Sequence, residues 1–392
     1  MRIHFRLCWL LLFAVFLAVL AIRYELATAS ETAPVQENVI RLLWKARSSP
    51  CALTRPLISG KMLFIGACDG KFYALDKQNG EVIWSHNATG EGAAGGFEIA
   101  PLLGHGLLIT GTTGSCSARD SGYVYAFDPQ SGAVRWKLQV GAGSDIFVSL
   151  DEYDPKSPIV FGTRDGEWVS VEASSGKVNW RFRATPSGAN CRNRTSVATD
   201  GVHVCFLALD GTLHCLEGKS GQELWKRKPD VEVTTDVLMY KDVLYFGSAD
   251  KHIYGLNPEE GKPLVQLRTP YTPVLAIAET DKDGEGEFEF SYGTNGDAGK
   301  TGVMSFGDEF ESVRWTRSST ERWSSGQPEP WGKVVIAGSC RGDIVAYRVG
   351  NGEPQWHAHV DGCIGALTHD DSTLYIAVRE GAVYVYRPQR AK

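Results

Sequence analysis

Short runs of alternating apolar and polar residues, each bounded by a glycine-bearing turn, recur along most of this chain. GACDGKFYALDKQNGEVIW (residues 66–84) shows the unit. Asp69-Gly70 supplies the positive φ angles of a two-residue hairpin turn between apolar runs. Phe72 and Ala74 then alternate with Tyr73 and Leu75, predicting a strand with two chemically different faces. Asn79-Gly80 repeats the turn chemistry, and Val82, Ile83 and Trp84 begin another strand. Such a meander cannot bury its own apolar surface and needs neighbours.

The neighbours are copies of itself. The same phrase ends at Trp136, Trp180, Trp225, Trp315 and Trp356, with Val265 where one tryptophan is missing. Units of about 40–50 residues, each of four short strands, have the period of propeller blades. The C-terminal phrase LYIAVREGAVYVYRP stops before its tryptophan, and VIRLLWKA with Trp44 supplies the lost strand from the other end. The predicted fold is therefore all-β: an eight-bladed β-propeller of four-stranded blades over residues 39–388, its ring closed by the N-terminal strand. Trp44 is expected in the same blade as Tyr384. The tryptophans at a fixed phase are read as packing between blades.

The pattern of a hydrophobic strand, G-S/A-x-D-G, Y-A-L-D, then G and W resembles the repeat of the pyrroloquinoline-quinone-like propeller family. Ala74-Leu75-Asp76, Ala126-Phe127-Asp128 and Gly255-Leu256-Asn257 carry it. That resemblance implies the fold and leaves two activities, since the family holds quinoprotein dehydrogenases and non-catalytic scaffolds of outer-membrane β-barrel assembly. Dehydrogenases of the family are larger, with insertions roofing the cofactor, and this chain has none. Neither a G-x-S-x-G elbow nor H-E-x-x-H occurs, and His105 and His252 stand alone. The expectation is a non-catalytic, protein-binding scaffold of the cell envelope without the quinone cofactor. The alternative is a quinone- or small-ligand-binding, redox-linked protein.

Composition changes this picture little. The 43 glycines suit a turn-dense β protein, and a net charge of −6 without a clustered basic patch argues against nucleic acid as a partner. The first residues address the chain. Arg2, His4 and Arg6 precede an apolar run from Leu7 to Ile22, short for a spanning helix. Ala27-Thr28-Ala29 offers a cleavage site, so residues 1–29 read as a signal peptide or an uncleaved signal anchor, with a linker at 30–38. Either way the propeller is exported to the periplasm or envelope, and it meets a membrane only through an anchor. A lipoprotein would need a cysteine at the end of the apolar run, whereas Cys8 stands at its start.

Eight further cysteines suit disulfides in an oxidising compartment, or buried thiols acting as small hydrophobes. Meander topology places Cys51 near Cys68. Cys205 and Cys215 flank the Asp210-Gly211 turn and face each other if the loop carries a bulge. The stretch ETDKDGEGEFEF sets Asp281, Asp283 and Glu285 at alternate positions with Glu289 beyond. It resembles the calcium loops of propeller repeats, and equally suits an acidic, solvated hairpin.

Candidate partner-binding residues stand where inner strands begin: Glu98, Asp145, Arg192, Arg194, Arg322 and Trp323, with Trp331 close by. Arg192 and Arg194 share one strand face, fit for an anionic group on a partner or for pairing with Glu98 and Asp145 across the channel. Tryptophan and arginine are the types enriched at interface hot spots.

Overall fold

A computed structural model describes residues 40–47, 49, 51, 54–91, 93, 95–114, 122–141, 143–150, 157–185, 196–269, 276–279, 288–293, 300–306, 312–318 and 329–388. The chain divides into two units, Met1–Glu37 and Asn38–Lys392; the fold described is that of the second.

Strand β1 (Ile40–Arg47) precedes a series of four-strand meanders. Sheet 1 holds β2 (Leu57–Ser59), β3 (Met62–Gly66), β4 (Lys71–Asp76) and β5 (Val82–Asn87). Sheet 2 holds β6 (Leu102–Gly104), β7 (Leu107–Gly111), β8 (Tyr123–Phe127) and β9 (Val134–Gln139). Sheet 3 holds β10 (Ser144–Ser149), β11 (Pro158–Thr163), β12 (Glu167–Glu172) and β13 (Val178–Arg183). Sheet 4 follows with β14 (Ser196–Thr199), β15 (His203–Leu207), β16 (Leu213–Glu217) and β17 (Glu223–Arg227). Sheet 5 comprises β18 (Leu238–Tyr240), β19 (Val243–Gly247), β20 (His252–Leu256) and β21 (Pro263–Arg268). Sheet 6 comprises β22 (Ala276–Glu279), β23 (Phe288–Gly293), β24 (Lys300–Phe306) and β25 (Ser312–Ser318). In sheet 7 lie β26 (Glu329–Trp331), β27 (Val334–Gly338), β28 (Asp343–Arg348) and β29 (Pro354–His359). Sheet 8 joins β30 (Ile364–His369), β31 (Leu374–Val378) and β32 (Ala382–Pro388) to β1.

First strands of successive sheets adjoin one another, as β6, β10, β14 and β18 do, and so lie innermost. Fourth strands are outermost and largely exposed, β5 reading e-e-i-e-i-e from solvent to partial burial. Middle strands are covered on both faces, which is why β3 (MLFIG) is apolar throughout instead of alternating. The two faces of β4 serve two interfaces. Phe72 and Ala74 pack with Phe97, Tyr125 and Phe127 toward sheet 2, while Tyr73 and Leu75 pack with Tyr375, Val383 and Val385 toward sheet 8.

The expectation of eight complete blades is corrected to seven. Among the described residues, seven apolar cores join neighbouring sheets. Sheet 6 repeats the four-strand order in its backbone pairing, and Trp315 ties it to sheet 7. The physical difference lies at its junction with sheet 5, where the interlock found elsewhere loses both partners.

That interlock is a tryptophan on a glycine. Trp136 Nε1 donates to the Ala173 carbonyl of the next sheet at 2.8 Å, and its ring lies over Gly176, whose φ is +70°. A Cβ on Gly176 would approach the indole to 2.7 Å, so both the backbone angle and the contact demand glycine. Trp44, Trp84, Trp180, Trp225 and Trp315 repeat the arrangement on Gly80, Gly132, Gly221, Gly261 and Gly352. In sheet 5 the tryptophan is Val265, and Glu311 stands four residues before Trp315, where each of these glycines stands four before its own sheet's Trp or Val265. Host and guest are absent together.

The N-terminal strand closes the ring. β1 pairs antiparallel with β32 from Ile40↔Pro388 to Arg47↔Ala382, with Lys45 opposite Tyr384 and an irregularity at Leu43. Trp44 therefore shares the sheet of Tyr384, as the repeat phase required.

Candidate functional site

The inner strands assemble a charged group that no single stretch of sequence announces. Glu329 opens β26 and is only 7% exposed. Sister strands carry Leu57, Leu102 and Leu238 at this register, each opposite the third residue of the following strand's pairing. The Glu329 carboxylate accepts from Arg55 Nη2 at 2.6 Å, and His369 Nε2 lies 3.7 Å from its other oxygen. Arg55 precedes β2 and His369 ends β30, so sheets 7, 8 and 1 meet at one carboxylate. Trp331, two residues on, stacks on His369 with centroids 5.5 Å apart and also packs against the core between sheets 7 and 8.

Burial pushes the Glu329 carboxyl above the usual carboxylate range, against the pull of Arg55 and His369. A raised acid pKa means that the folded state holds this proton more tightly than the unfolded chain. The resulting stability is complete below the ordinary carboxylate value and is lost as pH rises through the raised one. Glu329→Gln should flatten that part of the stability–pH curve in thermal melts across the mildly acid range. An unchanged slope would contradict the assignment.

The rim residues expected from sequence are only partly gathered. Glu98 is exposed and stands 4.0 Å from Arg164 of the β11–β12 turn. Arg181 and Arg183 form further surface pairs with Glu167 and Asp165, of the kind that contributes little to stability. Asp145 lies on β10, described by its backbone alone. Arg192, Arg194, Arg322 and Trp323 lie outside the described residues, as do Asp281, Asp283 and Glu285; Glu289 is placed on β23, its backbone between Ala278 and Ser305. Arg55, Glu329 and His369 were missed because 274 residues separate the ion pair. The one available signal was an acid where sister strands carry leucine.

A second concavity lies on the outside, between the segment leaving β17 and the face of sheet 5. This groove of about 310 Å³ is lined by Arg227, Asp230, Phe246, Tyr254, Leu256 and Gln266, among others. Phe246 and Tyr254 stack at 5.3 Å, and Asp250 holds the Tyr254 hydroxyl at 2.7 Å. Burial and then that carboxylate push the phenol up to about 12.

The cysteines pair as topology suggested, Cys51 with Cys68 and Cys205 with Cys215. One detail is corrected: Cys205 and Cys215 sit directly opposite in an unbroken β15–β16 register, so no bulge is needed. A third bond, Cys340–Cys363, joins the β27–β28 turn of sheet 7 to the start of β30 in sheet 8 and was not foreseen.

Among the described residues no three His, Cys, Asp or Glu side chains are grouped to hold a metal ion. A quinone polycarboxylate with its cation would require free cationic groups beside such a cluster. Arg55, the guanidinium of this charged group, is committed to Glu329.

The family described as outer membrane protein assembly factor BamB matches residues 40–152, 121–204 and 164–390. The chain is similar to quinohemoprotein alcohol dehydrogenase ADH IIB of Pseudomonas putida, 22% identical over 80% of this chain and 57% of that protein. It is also similar to BamB of Yersinia pestis, 26% identical over 53% of this chain and 51% of that protein. These alignments span little more than half the length of either relative. The crystal structure of BamB from Moraxella catarrhalis superposes with a TM-score of 0.64 at 16% identity, covering 90% of this chain and 99% of that one.

Proposed function

Since this chain belongs to the family of outer membrane protein assembly factor BamB, we propose that it is an exported, non-catalytic propeller that binds protein partners in the cell envelope. The observation that carries this reading is a family match running through the whole ring, from residue 40 to residue 390. Rigid sheets joined by rim loops are a scaffold on which binding residues normally reside. Trp331 and the rim candidates Arg192, Arg194, Arg322 and Trp323 would engage the partner, together with Glu98 and Asp145. The quinohemoprotein relatives favour the second reading, a redox-linked quinone-binding protein.

Capture of tagged full chain from crosslinked envelopes should recover outer-membrane assembly proteins. Trp331→Ala should lower that recovery by about fivefold or more per folded molecule, the scale of an interface hot spot. Loss of stability with unchanged recovery would assign Trp331 to the core instead. Alcohol-dependent dye reduction after adding the quinone and calcium, with no assembly protein captured, would overturn the scaffold reading.

Calcium belongs to the same proposal. If Asp281, Asp283, Glu285 and Glu289 gather the ion, millimolar calcium should raise the melting temperature through preferential binding to the folded state. Asp283→Ala should abolish the increment, and a wild-type protein indifferent to calcium would remove the site.

A further inference from the structure

Sheet 8 is the one sheet built from both ends of the chain, β30, β31 and β32 from one and β1 from the other. Two disulfides flank it. Cys363 immediately precedes β30, its innermost strand, and is bonded to Cys340 in the β27–β28 turn of sheet 7. Cys51 follows β1, its outermost strand, and is bonded to Cys68 in the β3–β4 turn of sheet 1. The start and the finish of the closing sheet are thus each tied to the neighbour on that side.

Hydrogen bonds hold the same two places. Ile364 N donates to Ser339 O at 3.2 Å and Cys363 N to the Glu380 carboxylate at 2.9 Å. On the other side Ser49 N donates to Gly381 O at 3.4 Å. The third disulfide differs in both place and access. Cys205 and Cys215 face each other inside sheet 4, cross no junction, and are both 0% exposed. Cys340 is exposed, and Cys51 and Cys68 are half-buried.

Each other outer strand follows the third strand of its own sheet directly in the chain, so its detachment opens only a short loop. β1 has no such link to β32; the covalent path between them runs around the whole ring. Closing so long a loop costs the most entropy, and Cys51–Cys68, which spans 17 residues, holds the end of β1 against sheet 1 in place of that link.

We propose that Cys51–Cys68 and Cys340–Cys363 form a thiol-sensitive latch on ring closure, opened by low-molecular-weight dithiols while Cys205–Cys215 stays shut. The chemistry is thiol–disulfide exchange. A reductant thiolate attacks one sulfur of the latch and the other cysteine leaves as a thiolate. The reductant's second thiolate then attacks the mixed disulfide, releasing the first cysteine. Two electrons and two protons pass to the protein, and the reductant departs as its cyclic disulfide. Attack requires a reachable sulfur, and exposure sets the order.

The test is a dithiothreitol titration of the full wild-type chain. Differential alkylation with mass spectrometry reads each disulfide, and hydrogen exchange reads each strand. At the concentration that opens the two rim bonds, Cys205–Cys215 should remain oxidised. Exchange in 40–47 and 364–369 should rise by about tenfold or more, as for release of a local unit, with 204–207 and 213–216 unchanged. Cys51→Ser/Cys68→Ser and Cys340→Ser/Cys363→Ser, made separately, should reproduce the rise without reductant; Cys205→Ser/Cys215→Ser should leave sheet 8 unaltered. Opening of Cys205–Cys215 first, or equal exchange in all sheets, would overturn the latch. So would unchanged exchange in 40–47 after both rim bonds open. The wild-type titration decides the matter even where a variant does not fold.

Discussion

Removal of residues 40–47 should destabilise the whole propeller instead of fraying one end. β1 supplies every cross-strand partner of β32 on its outer side, from Pro388 to Ala382. It also supplies Trp44, which covers Gly80 and donates to the Lys77 carbonyl at 3.0 Å in sheet 1. Lys45 adds an ion pair to Asp361 at 3.0 Å and a cation placed over the Tyr384 ring, an exposed contact of small weight. Without the strand, the apolar core between sheets 8 and 1 loses its outer cover and β32 becomes a bare edge. A loss on the order of 5 kcal/mol or more is expected, a sizeable part of a domain's whole stability. Denaturant unfolding of the truncated chain should show a lower midpoint in every region probed. An intact midpoint with increased hydrogen exchange confined to 364–388 would show that closure is dispensable.

Trp136→Ala should cost about 3–5 kcal/mol, the range for deleting a buried large aromatic side chain. The indole is 9% exposed and lies in the core joining sheets 2 and 3, so its loss opens a cavity between two sheets at once. Gly176→Ala attacks the same lock from the other side, through a φ of +70° and a Cβ driven into the ring. About 1–2 kcal/mol of this penalty is backbone, and the remainder is collision with the indole. With Trp136 already removed, the collision disappears. The double variant should therefore be less destabilised than the two single changes together, by about 1 kcal/mol or more, as for residues in contact. Urea unfolding of the four proteins measures this; strict additivity would mean that indole and glycine do not form one unit.

The repeat was legible because each blade is a local object. Asp69-Gly70 and Asn79-Gly80 shape turns within a few residues, and Phe72 to Leu75 alternate because a covered sheet has two faces to satisfy. The tryptophan phase then set the register of the copies, and the missing last strand pointed to Trp44. Cys51 and Cys68 followed from the same topology. Cys340 and Cys363 did not, because nothing in the spacing of either distinguishes it from Cys116 or Cys191.

By itself, then, the sequence determined the all-β repeat, the strand that closes it, and the glycines of its turns, because these obey short-range turn geometry and a fixed period. Only the tertiary structure decided that Arg55, Glu329 and His369 meet, that two disulfides flank the closing sheet, and that Glu98 faces Arg164. Those contacts join residues whose separation along the chain is set by how far around the ring each sheet stands. A ring brings its first and last sheets together at no sequence distance that a local pattern can record.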